Sequence, residues 1–439
     1  MDGKRYALAL SILLAASFVA NLGFSAFGPV LPYLILALKG VLEELPELVA
    51  GTVEAHKGAV EFGMLTAAFM ATRAPMAAVV GILSDAFGRK RTMLAGMTLY
   101  FAVSLGFLLS NDILLFALFR ALQGAASAMV WPVAEAYIAD ITPKWSRGKA
   151  LSAYVSSMFV AEIAGPAVGV AVYKLYVAMF GSADLLAALK SPIAFLAVSC
   201  LASAIAMGFL PSINAREPGG GGSSWRVALG GVLGSLKALP PGISRSIKAI
   251  YANGFVNGIA MGIIQTAAIT YIIEEVAKDP LYIGLFISVM SAVALPATMV
   301  AGYVSDRMQK RKPIALLGYI LGRSTFFALP FAKSPEIVLA LGALFGVLFG
   351  LSAPVMRALQ ADLSTQAVRG TIFGVQQFFF NSGTFAGALL GGWLTREFAR
   401  AKLALLGCEV GGYAAPFWLA ALLGLAAVAV FAVYVEESP

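Results

Sequence analysis

The stretch GILSDAFGRKR, residues Gly81–Arg91, places one carboxylate, one glycine and three adjacent cations in an otherwise apolar region. A related stretch, GYVSDRMQKRK, occupies Gly302–Lys312, 221 residues further along the chain. Glycine permits a tight reversal between two helices, and cations hold a loop on the cytoplasmic side of a membrane. Neither effect explains the carboxylate at the end of each apolar run. The repeat therefore predicts a specific role for Asp85 and Asp306.

The composition indicates an integral membrane protein. The 439 residues are 60% hydrophobic and 12% charged, whereas about a quarter of a soluble domain is charged. Continuously apolar stretches of ~20 residues recur along the chain, and each is long enough to cross ~30 Å of hydrocarbon as a helix. The strands of a membrane barrel would instead alternate over about 10 residues. The sequence predicts an all-α protein with twelve transmembrane helices, the first of which covers residues 6–38.

The second half of the chain repeats the first. A shift of 222 residues places Pro132 on Pro354, Asp140 on Asp362 and Gly165 on Gly387. The glycine run Gly219–Gly222 between the halves has the composition of a flexible linker. We expect an N-terminal six-helix bundle in residues 1–212, a cytoplasmic linker with a short amphipathic helix in residues 213–246, and a C-terminal six-helix bundle in residues 247–439.

The remaining composition narrows the class of protein. The connections on the side of the N-terminus carry more lysine and arginine than those on the opposite side, which predicts a protein of the cell membrane with both termini in the cytoplasm. The two cysteines have no disulfide or zinc spacing, and we expect no cofactor or metal. His56, the only histidine, lies in a loop among glutamates and is predicted to be solvated. Without a catalytic triad or a nucleotide-binding loop, neither an enzyme nor a nucleic-acid partner is expected.

Three motifs carry a resemblance to a known family. They are GILSDAFGRKR between the second and third spans, RALQGAASA at residues 120–128 and EIAGPAVGV at residues 162–170. With these motifs the chain resembles major facilitator superfamily transporters, and among them it is most similar to the twelve-span drug:proton antiporters. The resemblance implies two pseudo-symmetric bundles, alternating access and antiport. It also implies that Asp85 and Arg89 take part in gating.

The repeated carboxylates suggest a gate. A carboxylate at a helix N-terminus is stabilised by about 0.3–1 kcal/mol when exposed and up to ~2 kcal/mol when partly buried. We expect Asp85 to cap span eleven and Asp306 to cap span five, so that both hold the cytoplasmic side shut. The second copy has Gln309 at the position of the motif glycine, which predicts a weaker lock there. The predicted gating residues are Asp85, Gly88, Arg89, Asp140, Arg147, Asp306 and Asp362.

Charges within the spans are the candidates for coupling to protons, because each is costly in hydrocarbon unless it is paired or faces water. Arg120 and Glu162 are expected at depths that differ by ~10 Å at 1.5 Å rise per residue. They form either a proton switch or a permanent ion pair between two helices. Glu135 and Arg73 permit a second pair, although both lie near enough to the interface to snorkel.

Uncharged polar residues among apolar ones suggest a cavity for lipophilic cargo. The predicted substrate contacts are Asn21, Gln123, Asn257, Gln265, Gln377, Phe378 and Asn381. In span seven, a stripe of Gly254, Gly258 and Gly262 favours helix packing as the alternative. In span five, Gly165, Pro166 and Gly169 predict a kinked helix that packs closely on its neighbour.

The function predicted from these residues is secondary active export of hydrophobic or amphipathic small molecules, driven by protons through alternating access. The alternative on the same fold is a facilitator or symporter for a sugar, an organic anion or a lipid. A sensor built on a transporter scaffold is a further alternative. Arginines outnumber acids within the predicted spans, so the charge of the cargo stays open.

Overall fold

The computed structural model describes residues 3–143, 146–181, 184–212, 241–308, 310–363, 369–405 and 408–436. The sequence prediction of an amphipathic helix in the linker falls on residues 213–240, outside these ranges. All structural statements below concern the described residues.

The described chain contains twelve long helices and one short one. The bounds are α1 (Gly3–Phe27), the short α2 (Leu31–Leu38), α3 (Ala59–Phe87), α4 (Arg89–Leu109), α5 (Ile113–Ile141), α6 (Arg147–Phe180), α7 (Leu185–Gly208), α8 (Pro241–Tyr271), α9 (Pro280–Met308), α10 (Lys312–Ala328), α11 (Pro335–Asp362), α12 (Arg369–Phe398) and α13 (Ala414–Tyr434). Short 3-10 helices cover Ala55–Gly58 and Leu329–Phe331, and a π-helical turn covers Ile272–Val276. Ten of the described helices are long and apolar enough to cross a membrane. The all-α membrane architecture predicted from the sequence is confirmed.

The first predicted span is interrupted, and the prediction of one segment over residues 6–38 is wrong in this respect. Helix α1 ends at Phe27, and α2 begins only at Leu31. Pro29 and Pro32 lack the backbone N–H that continues a helix, and Pro32 lies in the first turn of α2, where that loss is tolerated. The sequence contained this signal, but apolarity alone does not detect it.

Local side chains fix several helix ends. The Asp112 carboxylate accepts hydrogen bonds from the backbone N–H groups of Leu114 and Leu115 at 2.7 and 2.9 Å, which caps α5. Asp184 caps α7 in the same way. Gly88, with φ of +91°, separates α3 from α4 and adopts a backbone conformation that favours glycine.

Contacts divide the chain into two compact units. Unit 1 contains residues 1–53, 68–221 and 278–288, and unit 2 contains residues 54–67, 222–277 and 289–439. Each unit also takes one short segment from the other sequence half. Helix α3 begins in unit 2 and continues in unit 1, whereas α9 begins in unit 1 and continues in unit 2.

The helices of the two units pack in the same pattern. In unit 1, α1 packs on α6 and α7, and α4 packs on α5 and α7. In unit 2, α8 packs on α12 and α13, and α10 packs on α11 and α13. Each pair in unit 2 is the repeat counterpart of a pair in unit 1. The prediction of two like bundles is therefore confirmed at the level of helix packing.

A β-hairpin was not foreseen from the sequence. Strands β1 (Lys402–Leu405) and β2 (Cys408–Gly411) pair in antiparallel register between α12 and α13. The end of each unit's helices opposite to its own chain terminus is called the far end below, and the hairpin lies at that end of unit 2. It follows Arg400 and precedes Tyr413 in the chain.

Candidate functional site

Arg120 and Gln123 form a polar pair inside unit 1. The Arg120 Nη1 atom donates a hydrogen bond to Gln123 Oε1 at 2.5 Å. Both side chains lie on α5 one helical turn apart, which is the spacing at which helical side chains meet. The guanidinium also lies 5.0 Å from the centre of the Phe69 ring, and that of Arg73 lies 5.7 Å from the same ring. The Phe69 ring on α3 therefore interacts with two half-buried cations.

Glu162 occupies a separate position near the middle of α6. Its half-buried carboxylate lies within hydrogen-bonding reach of the Asn21 side chain on α1. The Asn21 amide nitrogen also donates to the Met158 carbonyl oxygen at 3.0 Å. The structure does not pair Glu162 with Arg120 among the described residues, so the two predicted coupling residues lie at separate places. Asn21, predicted as a substrate contact, lies beside the acid.

Neither does the structure pair Glu135 with Arg73. Glu135 is exposed near the C-terminal end of α5, whereas Arg73 lies over Phe69. An aromatic cluster of Phe24, Tyr100 and Trp131 lines the interior of the same unit, with ring centres 4.4–6.5 Å apart. These rings come from α1, α4 and α5 and were not singled out from the sequence, because aromatic residues in apolar spans carry no distinguishing pattern.

The opening motif forms the same small network in both units. Arg89 donates to Asp140 through Nε at 3.3 Å and to the Ser84 hydroxyl at 2.5 Å. Its repeat counterpart Arg311 donates to Asp362 at 2.5 Å and to Ser305 at 3.2 Å. The predicted gating residues Arg89, Asp140 and Asp362 are thus tied within their own bundles. Arg311 was missed, although a shift of 222 from Arg89 identifies it.

The other predicted gating residues are less fully placed. The side chains of Asp85 and Asp306 lie outside the described atoms, as do those at the start of α12, which Asp85 was expected to cap. Arg147, at the start of α6, has a buried Nε atom without a hydrogen-bond partner among the described residues. The predicted caps therefore stay predictions.

In unit 2, Asn257 binds a cation. Arg323 on α10 is 7% exposed and donates to Asn257 Oδ1 from Nε at 3.1 Å and from Nη2 at 2.5 Å. The Asn257 amide nitrogen donates to the backbone and side-chain oxygens of Asn253. A Cβ atom at Gly424 on α13 would lie 2.8 Å from Arg323 Nε, so glycine makes room for this side chain. Asn257, predicted as a substrate contact, is used to hold the buried arginine.

Two of the substrate contacts predicted on α12 form a hydrogen bond with each other. Gln377 donates to Asn381 Oδ1 at 2.9 Å. Phe378 is exposed, and its ring contacts that of Phe379. Gln265 on α8 is half-buried. The structure leaves Phe378 and Gln377 available on the surface of unit 2.

The small residues pack against neighbouring helices. A Cβ at Gly165 or Gly169 on α6 would overlap Ser25 or Ala26 on α1, and Pro166 lies inside the same continuous helix. On α8, a Cβ at Gly254 would lie 2.5 Å from Gln376 Nε2 on α12. For Gly258 and Gly262 on α8, the overlap is with the backbone of α12. The packing alternative for the glycine stripe of span seven is therefore the one observed.

The sequence prediction for His56 is wrong. This side chain is 9% exposed, and its Nδ1 atom lies 2.9 Å from each carboxylate oxygen of Glu274. The His56 backbone N–H also donates to Glu274 Oε2 at 2.9 Å. The partner is 218 residues away in the chain, and no local pattern identifies it. Among the described residues, no group of three or more His, Cys, Asp or Glu side chains is arranged to hold a metal ion.

Unit 1 has its own contacts at the far end. Lys174 on α6 donates to Asp279 at 2.8 Å, and the Ser288 hydroxyl donates to the Ile163 carbonyl oxygen at 2.7 Å. Both contacts attach the segment 278–288, which belongs to the second sequence half, to α6 of the first. The sequence does not predict these contacts, because their partners are 105 and 125 residues apart in the chain.

Comparisons with known proteins agree with this architecture. The family model described as Major Facilitator Superfamily matches residues 13–242 and 250–439. Multidrug resistance protein 2 of Bacillus subtilis is 25% identical over 392 residues, covering 87% of this chain and 88% of that protein. Multidrug resistance protein MdtG of Salmonella typhimurium is 24% identical and covers 72% of this chain and 74% of its own length. The crystal structure of a mutant of the nucleoside transporter NupG superposes with a TM-score of 0.73 at 11% identity, covering 98% of this chain and 100% of that one.

Proposed function

Because the chain belongs to the Major Facilitator Superfamily, we propose that it is a proton-coupled exporter of hydrophobic or amphipathic small molecules. The family assignment makes the protein a multi-pass membrane transporter and not an enzyme. The direction of transport, the antiport mechanism and the coupling to protons go beyond the family assignment, and they are what we propose here. The names of the two multidrug resistance relatives favour this substrate class.

The observation that carries the proposal is the position of Glu162. Its carboxyl group lies near the middle of a long membrane helix and has an amide, not a cation, as its side-chain partner among the described residues. A carboxyl group without a fixed counter-charge can gain or lose a proton without breaking an ion pair. Arg120 and Arg73, over Phe69 in the same unit, supply the cations that a moving carboxylate or cargo would meet.

The test is a flux assay in sealed proteoliposomes under an imposed pH gradient. We expect wild-type protein to move a cationic dye against its gradient while protons flow the other way. Glu162→Gln should lower gradient-driven dye transport more than tenfold, and Glu336→Gln, on the exposed first turn of α11, should leave it unchanged. Undiminished proton-driven transport by Glu162→Gln would remove the basis of the proposal.

Alternating access is the proposed mechanism, with Asp85 locking the cytoplasmic side. Asp85→Asn is expected to raise the inward-open population, measured by labelling of a cysteine introduced into the cavity. We also propose that the protein lies in the cell membrane with both termini in the cytoplasm. A reporter fused to the C-terminus that is active only in the cytoplasm tests this orientation, and an inactive reporter on a folded, membrane-inserted fusion would contradict it.

The alternative is a facilitator or symporter for an organic anion or sugar. The observation that favours it is Arg323, whose buried cation is bound by an amide and not by a carboxylate among the described residues. The same vesicles loaded with an anionic dye distinguish the two functions. Movement of the anion together with protons, without movement of the cationic dye, would support symport.

A further inference from the structure

The far end of unit 2 contains a buried cluster around the only histidine of the chain. The Glu274 carboxylate, 7% exposed, accepts hydrogen bonds from the His56 ring and backbone and from the Tyr413 hydroxyl at 3.0 Å. The Arg400 guanidinium lies 3.7 Å from the same carboxylate. One carboxylate thus has hydrogen-bond donors from two segments of the chain and a cation from a third.

A second set of charges surrounds this cluster. Arg400 also pairs with Glu54 at 2.5 Å, and Glu54 pairs with Lys57 on the same 3-10 turn as His56. On the adjacent side, Lys333 pairs with Glu275 at 2.6 Å and lies over the Tyr271 ring, which packs against Tyr413. These groups, together with Glu274, are the titratable and charged side chains that face His56 or its partner from the described elements packed on them.

The cluster holds the segment from which α3 begins. Residues 54–67 precede and begin α3, and they belong to unit 2, whereas the rest of α3 belongs to unit 1. Apart from the cluster, Gly63 and Gly392 let α3 and α12 approach closely, since a Cβ at Gly392 would lie 2.6 Å from the Ala59 carbonyl oxygen. The His56–Glu274 contact therefore ties down the start of a helix that passes from one unit into the other.

Most charges of this cluster do not change between pH 5 and pH 8. The hydrogen bond from Lys57 is the main reason that the pKa of Glu54 is lowered, so Glu54 stays ionised. Burial raises the pKa of Tyr413 well above its usual value, so its hydroxyl stays a neutral donor. Arginine and lysine stay charged over this range, and histidine is the side-chain type that ordinarily titrates near 6.5.

We propose that His56 and Glu274 form a proton-binding latch at the far end of the protein, closed when the imidazole is protonated and weakened when it is neutral. A neutral imidazole can donate only one ring N–H, whereas the imidazolium places a full charge against the Glu274 carboxylate. Release of residues 54–67 would separate these charges, so proton binding and the closed contact favour each other. This inference rests on the contacts of unit 2 and does not depend on proton coupling at Glu162.

Hydrogen exchange of the full-length protein in lipid nanodiscs tests the latch. We compare wild type with His56→Gln at the same pH, so that the chemical exchange rate cancels. For the peptide covering residues 54–67, exchange at pH 5.5 should be about tenfold faster in the variant, because the variant lacks the charged donor that stabilises the closed contact. At pH 8.0, above the range in which histidine ordinarily titrates, the ratio should fall below about threefold.

Two further variants make the result decisive. Glu274→Gln keeps the shape of the side chain, removes its charge and should also abolish the pH dependence. Lys174→Gln breaks the ion pair of unit 1 with Asp279 and should change exchange of residues 278–288 equally at both pH values. If the His56→Gln ratio is the same at pH 5.5 and pH 8.0, or if Glu274→Gln retains the wild-type pH response, His56 is only a neutral structural donor. Should either variant fold poorly, wild-type exchange of residues 54–67 relative to 278–288 across the same pH range gives the same decision.

Discussion

At the scale of single residues, Lys190 shows how a charge can be buried in a membrane span for a structural purpose. It lies in the first turns of α7, is 8% exposed, and donates to the carbonyl oxygens of Leu108 and Ser110 and to Asn111 Oδ1 at 2.6–3.0 Å. These acceptors include the free carbonyl groups at the end of α4, where a cation also interacts favourably with the helix dipole. The Lys190 side chain on α7 therefore caps the C-terminal end of α4.

Lys190→Met keeps the length of the side chain but removes all three donors. Because hydrogen bonds to charged groups contribute about 1.5–3 kcal/mol, we expect a loss of stability of this order. The measurement is a thermal unfolding midpoint in detergent. Lys149→Met, at an exposed position on α6, is the matched control. Equal midpoints for the two variants would show that the Lys190 contacts contribute nothing.

Arg323 offers a second residue-scale test, because Asn257 and Gly424 serve the same side chain. Asn257→Ala removes the acceptor, and Gly424→Ala places a methyl group where the guanidinium lies. Each leaves a buried cation poorly bonded, at a cost of about 1–3 kcal/mol. Both changes break the same interaction. The double variant should therefore be at most about 0.5 kcal/mol less stable than the less stable of the two single variants. Additive losses in thermal unfolding would mean that the two sites act separately.

At the scale of helices, the pair α8 and α12 is held together by glycines on both sides. Gly254, Gly258 and Gly262 on α8 face α12, while Gly383, Gly387 and Gly391 on α12 approach the backbone of α8 at Phe255, Ile259 and Ile263. Small residues at four-residue spacing let helix backbones approach closely in a membrane, where packing replaces the hydrophobic effect as the driving force. This interface is the main packing surface of unit 2.

Gly387→Ala and Gly374→Ala test this interface on a single helix. The first would press a methyl group onto the Ile259 carbonyl oxygen, whereas nothing lies within 4 Å of a Cβ at Gly374. We expect Gly387→Ala to lower the melting temperature clearly. Gly374→Ala should be neutral or stabilising by up to about 1 kcal/mol, since alanine is the better helix former. A neutral Gly387→Ala would show that α8 and α12 can separate without cost.

Features set by local sequence could be predicted, whereas contacts between residues far apart in the chain could not. Apolar length identified the long helices, and the repeat shift identified the pairs of equivalent residues such as Asp140 and Asp362. Pro29 and Pro32 indicate the end of α1, but a prediction from apolar length alone continues the span through them. His56 and Glu274 could not be joined, because their contact spans 218 residues and each is locally an ordinary loop or helix-end residue. Long-range polar contacts of this kind decide the site, and they are set by packing.

At the scale of the whole molecule, the two sequence repeats build the same framework and then differ in their interiors. The Arg89 and Arg311 networks are equivalent, and the helix pairs correspond one to one. The buried charges do not correspond, because Arg120 is matched by Gly342 and Arg323 by Phe101 at a shift of 222. A repeated framework suits motion of like bundles, and under the proposed function the unlike interiors would let unit 1 bind protons and unit 2 bind cargo.

The contacts of residues 54–67 give the whole-molecule prediction for alternating access. If this segment leaves unit 2 during transport, a thiol-reactive cross-linker with a reducible spacer that joins Glu54→Cys to Arg400→Cys should stop substrate flux, and reduction should restore it. Both positions are side chains of one ion pair at 2.5 Å, and the background carries Cys200→Ser and Cys408→Ser. The matched control joins Glu275→Cys to Lys333→Cys, a pair at 2.6 Å at the same far end whose two residues belong to the same sequence half. Flux in vesicles should fall more than tenfold with the first cross-link and persist with the second, because only the first connects the two repeats. Normal flux with the first cross-link in place would mean that transport proceeds without release of this segment, and equal inhibition by both would trace the effect to rigidity of unit 2 alone.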